Sequence, residues 1–341
     1  MAVWLVRAGK RGEREQIALD NGLALIGWDE LPDLSNIQSQ EEMKSLFDLV
    51  YPDEKEKTVA NWVGQVWSFF RRIQPGDLIV LPLKSQSAIA IGKCTGPYQY
   101  RPDLQEGAYH TRPVEWIRKE IPRSAFDQDI LYSFGAFLTV GRIKRNNAEE
   151  RIRAVLEGRQ PVAVSPSAEE DENDDDILPL SNLEQYARDQ IAKHIAQKFK
   201  GDDLSNLVAA LLEVQGYQTQ TSQPGADGGV DIIAGRGTMG FDRPWLCVQV
   251  KSSEQPVDVK ILRELQGVLK NFGAEQGLLV SWGGFKQSVL REARRLFFEI
   301  RLWDAGELVD MLLQNYDKLP EDLQAEIPLK RIWTLVLEDE T

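Results

Sequence analysis

A run of acidic residues near the middle of the chain constrains its architecture more than any other feature. Ser165-Pro166-Ser167 leads into Glu169-Glu170-Asp171-Glu172-Asn173-Asp174-Asp175-Asp176, and no apolar residue recurs within it. Like charges beside proline and serine cannot bury enough apolar surface to offset the entropy of ordering, so the stretch reads as a solvated linker between separable parts. Residues 165–182 carry seven acidic and no basic side chains, over half of the net −13 of the 341-residue chain; residues 1–164 are neutral overall and 183–341 carry −6. An acidic average therefore leaves a nucleic-acid partner open, because binding needs a local basic surface. The expected division is a first domain over 1–160, a linker over 161–181, a second domain over 182–318 and a tail over 319–341.

Other classes fall away quickly. Two cysteines, Cys94 and Cys247, exclude a disulfide framework or a cysteine-rich zinc site, and two histidines, His110 and His194, argue against a two-histidine metal motif. No apolar run approaches the roughly 18 residues of a membrane helix, and Met1 to Arg7 lacks the basic-then-apolar layout of a signal peptide. Cytoplasmic residence without a membrane partner is the expectation.

The patterning predicts an α/β chain, α+β overall. Before the linker, strands are expected at Ala2–Val6, Leu23–Trp28, Leu78–Leu83, Ala88–Cys94 and Thr111–Arg118, with a helix over Lys57–Arg72. Short strands around one or two helices suggest a curled sheet or barrel. After the linker, helices are expected at Leu183–Phe199, Leu204–Gln215, Val257–Phe272, Lys286–Phe297 and Ala305–Gln314. They alternate with strands at Tyr217–Ser222, Gly229–Ala234, Trp245–Lys251, Gln276–Ser281 and Ile300–Asp304. That alternation implies a sheet flanked by helices.

The segment that carries chemistry runs from Gly225 to Lys251. Asp231 interrupts an apolar strand, where a carboxylate is costly unless paired or metal-bound. Side chains alternate along a strand, so Gln249 and Lys251 share one face while Leu246, Val248 and Val250 take the other. If the two strands pair, Asp231, Gln249 and Lys251 converge. Asp231 and the Gln249 amide oxygen suit a hard cation such as Mg²⁺, with Mn²⁺ a possible substitute, and Lys251 suits a phosphate and an attacking water. The same pattern also fits a capping aspartate, a satisfied glutamine and a surface lysine.

Gly225-Ala226-Asp227-Gly228-Gly229-Val230-Asp231 followed by Val248-Gln249-Val250-Lys251 resembles the catalytic domain of the Mrr family, within the PD-(D/E)xK nucleases. Arg263-Glu264-Leu265-Gln266-Gly267 is similar to the family's helix after the lysine, and Leu279 to Phe285 to its next strand and glycine turn. The resemblance covers roughly Leu204 to Leu313. It implies a mixed sheet flanked by helices and Mg²⁺-dependent cleavage of double-stranded DNA by a homodimer, with Asp231, Gln249 and Lys251 catalytic and Asp231 and Gln249 on the metal. Family members often carry a glutamate near the start of the opening helix. Here Leu204 and Ser205 stand there, with Asp202, Asp203 or Glu213 as substitutes.

Pro75-Gly76-Asp77-Leu78-Ile79-Val80, Ile91 to Tyr100 and His110 to Trp116 resemble the EVE and PUA-like domains over about Ala2 to Leu156. That resemblance implies binding of a flipped, modified base. Its walls would be Trp28, Tyr98 and Tyr100, although core packing is the commoner role for any one such aromatic, and Trp62 reads as core. Arg71, Arg72, Arg112, Arg142, Lys144 and Arg145 are the expected phosphate contacts. Together the two halves read as a modification-dependent endonuclease of the type IV restriction class. The alternatives are a structure-selective repair nuclease and a catalytically inactive protein that binds DNA or senses a nucleotide.

Overall fold

The computed structural model describes residues 1–104, 107–135, 138–144, 147–159, 183–222 and 229–333. The expected linker, Arg145, most of the Gly225–Gly229 turn and the last residues of the tail lie outside them. The chain forms two compact units, one of Met1–Lys119 with Phe126–Tyr186, the other of Glu120–Ala125 with Ala187–Thr341.

The first unit contains β1 (Val3–Val6), α1 (Glu15–Asn21), β2 (Leu23–Ile26), α2 (Gln40–Val50), α3 (Glu56–Trp67), β3 (Leu78–Pro82), β4 (Ala88–Cys94), β5 (Gln99–Tyr100), all but the last three residues of β6 (His110–Pro122), α4 (Gln128–Phe134), β7 (Val140–Arg142) and α5 (Ala148–Leu156). Its seven strands form one sheet in the order β2-β6-β4-β3-β1-β7, with β5 added to β6. The β1–β3 pair is parallel and the β1–β7, β3–β4, β2–β6 and β5–β6 pairs are antiparallel. Val59, Val63 and Val66 of α3 pack with Met43 and Phe47 of α2 onto Trp4, Val6, Ile26 and Ile79.

The helix expected over Lys57–Arg72 ends differently from its pattern. Beyond Trp67 the last turn, Ser68–Arg72, widens so that Ile73 N–H donates to Ser68 C=O at 3.0 Å. The carbonyls of Phe69 and Phe70 then lack helical partners, and the Arg112 guanidinium fills them, as described below. Helices α1, α2, α4 and α5 were not expected from the sequence, although α2 is capped by Ser39, whose Oγ accepts from Glu42 N–H, and buries Met43 and Phe47.

The second unit contains α6 (Leu183–Lys198), most of which lies in this unit, α7 (Asp202–Glu213), β8 (Tyr217–Thr221), β9 (Ile232–Arg236), β10 (Asp242–Lys251), α8 (Val259–Phe272), β11 (Gln276–Ser281), α9 (Gln287–Ala293), β12 (Ile300–Asp304), α10 (Ala305–Asn315) and α11 (Glu321–Glu326). The sheet runs β12-β11-β10-β9-β8. Strands β8, β9 and β10 pair antiparallel, and β10, β11 and β12 pair parallel. One face carries Leu246, Val248 and Val250 of β10 into a core with α7 and α10; the other carries Cys247 into a core with α8 and α9. The alternation along β10 thus sends its odd-numbered residues toward α8.

Candidate active site

Asp231 sits one residue before β9, not inside it. Its N–H donates to Val248 C=O at 2.9 Å, its C=O accepts from Ser222 N–H at 2.8 Å, and its carboxylate accepts from Val250 N–H at 2.6 Å. That last donor is the next one on β10 after the ladder stops at the Ile232–Val248 pair. The carboxylate takes the place of a backbone carbonyl, which is why the strand begins at Ile232 and the expected Gly229–Ala234 strand starts late. A buried N–H is obligatorily paired, so this exchange fixes the side chain beside β10.

Gln249 lies one step beyond Val248 and therefore opposite Asp231 when the register is continued. It is 4% exposed, and its Oε1 is a buried acceptor without a hydrogen-bond partner among the described residues. Lys251 ends β10, half-buried, paired in register with Ser281, and its carbonyl accepts from Trp282 N–H at 2.8 Å. Backbone hydrogen bonds on both sides of β10 thus hold Gln249 and Lys251 on the face toward α8, with Asp231 at the adjacent strand start. The three predicted residues are brought together. Gln249 also lines a cavity of about 390 Å³ with Gly229 and, from α8, Glu264, Gly267, Val268 and Asn271.

Helix α7 separates the candidates for a further acid. Gly201 N–H donates to Ser252 Oγ at 3.3 Å, so the helix starts beside the residue that follows Lys251, and Asp202 and Asp203 are exposed in its first turn. Glu213 is at the other end, roughly 16 Å along the axis at 1.5 Å per residue, where it accepts from Thr219 Oγ1 at 2.5 Å. It belongs to the β8 edge.

Residues 196–312 match the family model described as restriction endonuclease. This segment, the sheet and helices that carry Asp231, Gln249 and Lys251, is therefore similar to restriction endonuclease domains. Domains of this kind hydrolyse DNA with divalent metal ions. Residues 4–131 match a family described only as a domain of unknown function. Among solved structures, the chain is similar to the MspJI restriction endonuclease in complex with a 27-mer oligonucleotide, at 14% identity and a TM-score of 0.33, over 94% of this chain and 70% of that one. It is also similar to the DNA modification-dependent restriction endonuclease AspBHI, at 15% identity and a TM-score of 0.34, over 90% and 87%. No curated protein matches the chain.

The oxygen donors at Asp231 and Gln249 fit a divalent cation of the hard class. Among the described residues no three histidine, cysteine, aspartate or glutamate side chains converge on a metal position. The donor set at Asp231 and Gln249 is instead one carboxylate and one amide oxygen, and the unpartnered Gln249 Oε1 is the atom such an ion would satisfy.

In the N-terminal unit the expected base-binding residues separate. Tyr98 is only 9% exposed; its hydroxyl contacts Leu34 N–H at 3.4 Å and His110 Nδ1 at 2.8 Å, and its ring meets Phe70 edge-on. It is a core residue, which corrects its assignment as a wall. Burial also holds His110 below the ordinary imidazole range. Tyr100 is half-buried against Tyr109 and His110. Trp28 is half-buried and left-handed, with φ 64°, a conformation rare for a bulky residue. Its ring meets Trp62 edge-on at 6.3 Å, and Trp62 meets Tyr51 at 5.4 Å. Tyr51 Oη donates to Glu30 at 2.7 Å. Sequence reasoning missed Tyr51 and placed Trp62 in the core, since its helical spacing with Val59, Val63 and Val66 conceals a side chain at the margin of the apolar stripe.

The predicted cations also divide. Arg112 is 3% exposed and donates to Phe69 C=O at 2.5 Å, Phe70 C=O at 2.6 Å and Gly96 C=O at 3.2 Å. It closes the C-terminal end of the α3 segment and presents no charge to a phosphate, which corrects its assignment. Arg71 is exposed, donates to Ile37 C=O and lies 4.4 Å over the Phe70 ring; Arg72 is exposed beside it. Arg142 and Lys144 line a cavity of about 480 Å³ in which Glu149, Glu150 and Arg153 mix the charge.

Proposed function

We propose that this protein is a modification-dependent DNA endonuclease of the type IV restriction class, whose cleavage centre is Asp231, Gln249 and Lys251. The observation that carries the reading is the convergence of these three on adjacent strands of a restriction endonuclease domain. Asp231 and Gln249 would hold a Mg²⁺ ion, which supplies Lewis acidity and a more acidic bound water. Lys251 would donate to that water and to a phosphate oxygen, offsetting the negative charge that grows there during attack. The backbone bonds of β10 hold both groups before substrate arrives, so little reorganisation accompanies the reaction. Action as a homodimer on double-stranded DNA belongs to the same reading.

In the N-terminal unit the reading places the modified base against Trp28, with Trp62 and Tyr51 behind it. Support comes from the half-buried position of Trp28 and its left-handed backbone, since strained conformations persist where surrounding structure enforces them and concentrate at binding sites. A flipped base recovers part of the unstacking cost on such a ring. Arg71 and Arg72 are the cations of this unit best exposed for phosphate. Digestion of matched modified and unmodified plasmids, with and without Mg²⁺, tests the whole reading. Cutting only of the modified plasmid with Mg²⁺ is expected; equal cutting of both would remove modification dependence, and no cutting of either would remove the nuclease assignment.

A further inference from the structure

We propose that Glu264 of α8 supplies a second carboxylate to the cation site at Gln249; the inference rests on the cleavage centre proposed above. Glu264, Gly267, Val268 and Asn271 recur at helical spacing and form the α8 wall of the cavity that Gln249 lines from β10. The Gln249 side chain lines this groove while nine-tenths buried, and among the described residues its Oε1 has no hydrogen-bond partner. An acceptor left in that state destabilises a fold unless a water or a cation meets it. At Gly267 a β-carbon would meet no atom within 4 Å, so the wall beside Glu264 leaves room for an ion and its waters.

Charge points the same way. Asp231 is one carboxylate, Gln249 is neutral, and sites for small divalent ions use one or two carboxylates with retained waters. The opening helix has Leu204, which is buried, and Ser205 where an acid would stand; its Asp202 and Asp203 are exposed in the first turn and do not line this cavity, and Glu213 belongs to the β8 edge. Gln249 is the group shared by both candidate acids, next to Asp231 through the ladder and next to Glu264 through the cavity. The only ion pair of Glu264 among the described residues is with Lys260 at 3.7 Å, both side chains well exposed, an interaction of little consequence for the fold.

Calorimetric titration of the full chain with Mn²⁺ tests the proposal, using the wild type, Asp231→Asn, Glu264→Gln and Glu41→Gln, an exposed control on α2. Affinity about 10-fold or more weaker in Glu264→Gln, with an unchanged melting temperature in metal-free buffer and wild-type affinity in Glu41→Gln, is the expected result. Wild-type Mn²⁺ affinity in Glu264→Gln alongside weak binding in Asp231→Asn would overturn the role of Glu264 and leave the cleavage centre standing. Wild-type affinity in both, or no binding by the wild type, would overturn both.

Discussion

The Asp231 carboxylate accepts the Val250 N–H at 2.6 Å, and Val250 is the residue between Gln249 and Lys251. One side chain thus ends the β9–β10 ladder and fastens the acid to the strand that carries the amide and the amine. The separation of the three groups is set by backbone pairing, the stiffest spacing a sheet provides.

Replacing Asp231 with Asn or Lys251 with Ala is expected to reduce cleavage by a factor of at least about 10² to 10³, the usual cost of losing a catalytic electrostatic contact. Asn keeps an oxygen for Val250 N–H, so circular dichroism should be unchanged. Cleavage at the wild-type rate by either variant would remove the assignment.

Gln249→Leu separates stability from function. It removes a buried oxygen that has no partner among the described residues, whose burial costs about 1–3 kcal/mol, while keeping the side chain's bulk. The metal-free protein should melt no lower than the wild type yet lose Mn²⁺ binding and cleavage. A lower melting temperature with binding retained would mean that the oxygen is satisfied within the fold.

Trp28→Ala should weaken binding to modified DNA by about 5- to 150-fold, the range for loss of one stacked base, with little change on unmodified DNA. Tyr98→Phe, which loses the contacts to His110 and Leu34, should lower the melting temperature and leave the preference intact. Fluorescence anisotropy on matched duplexes distinguishes the two, and an unchanged preference in folded Trp28→Ala would place base reading elsewhere.

Arg112→Met should destabilise the N-terminal unit by about 3 kcal/mol or more, since it strands three carbonyls that now receive charged donors. The salt dependence of DNA binding in any folded fraction should be unchanged. A shallower salt slope would show that Arg112 meets phosphate.

His110 gives the N-terminal unit a pH dependence. Burial depresses its pKa below the ordinary 6.5, so on acidification the unfolded chain takes up the proton first. The stability it contributes is complete above pH 6.5 and is lost as pH falls from there through the folded-state value. Urea unfolding followed at pH 7.5 and pH 5.5 should show the loss, and His110→Gln should flatten it; an equal slope in that variant would assign the effect to other groups.

The alternation of strands and helices after the acidic run, and the strand faces of β10, were legible in the sequence because a period of two in Leu246, Val248 and Val250 against Gln249 and Lys251 is a local property. The same holds for Asp231 as an acid among apolar residues. Three-dimensional contacts decided the rest. That Asp231 stands outside its strand depends on a partner N–H 19 residues away. That Arg112 is buried depends on the widened turn at Ser68–Arg72, whose freed carbonyls no charge count reveals. Tyr98 and Trp28 are both aromatic residues beside turns, yet one fills the core and the other is only half-buried at its edge, because packing density is a property of neighbours remote in the chain. By sequence, Glu264 stands out only within the family-like run Arg263–Gly267, and only the packing of α8 on the sheet sets it on the same cavity as Gln249. Side-chain periodicity assigns a residue to a face; only the packing of elements decides what that face meets.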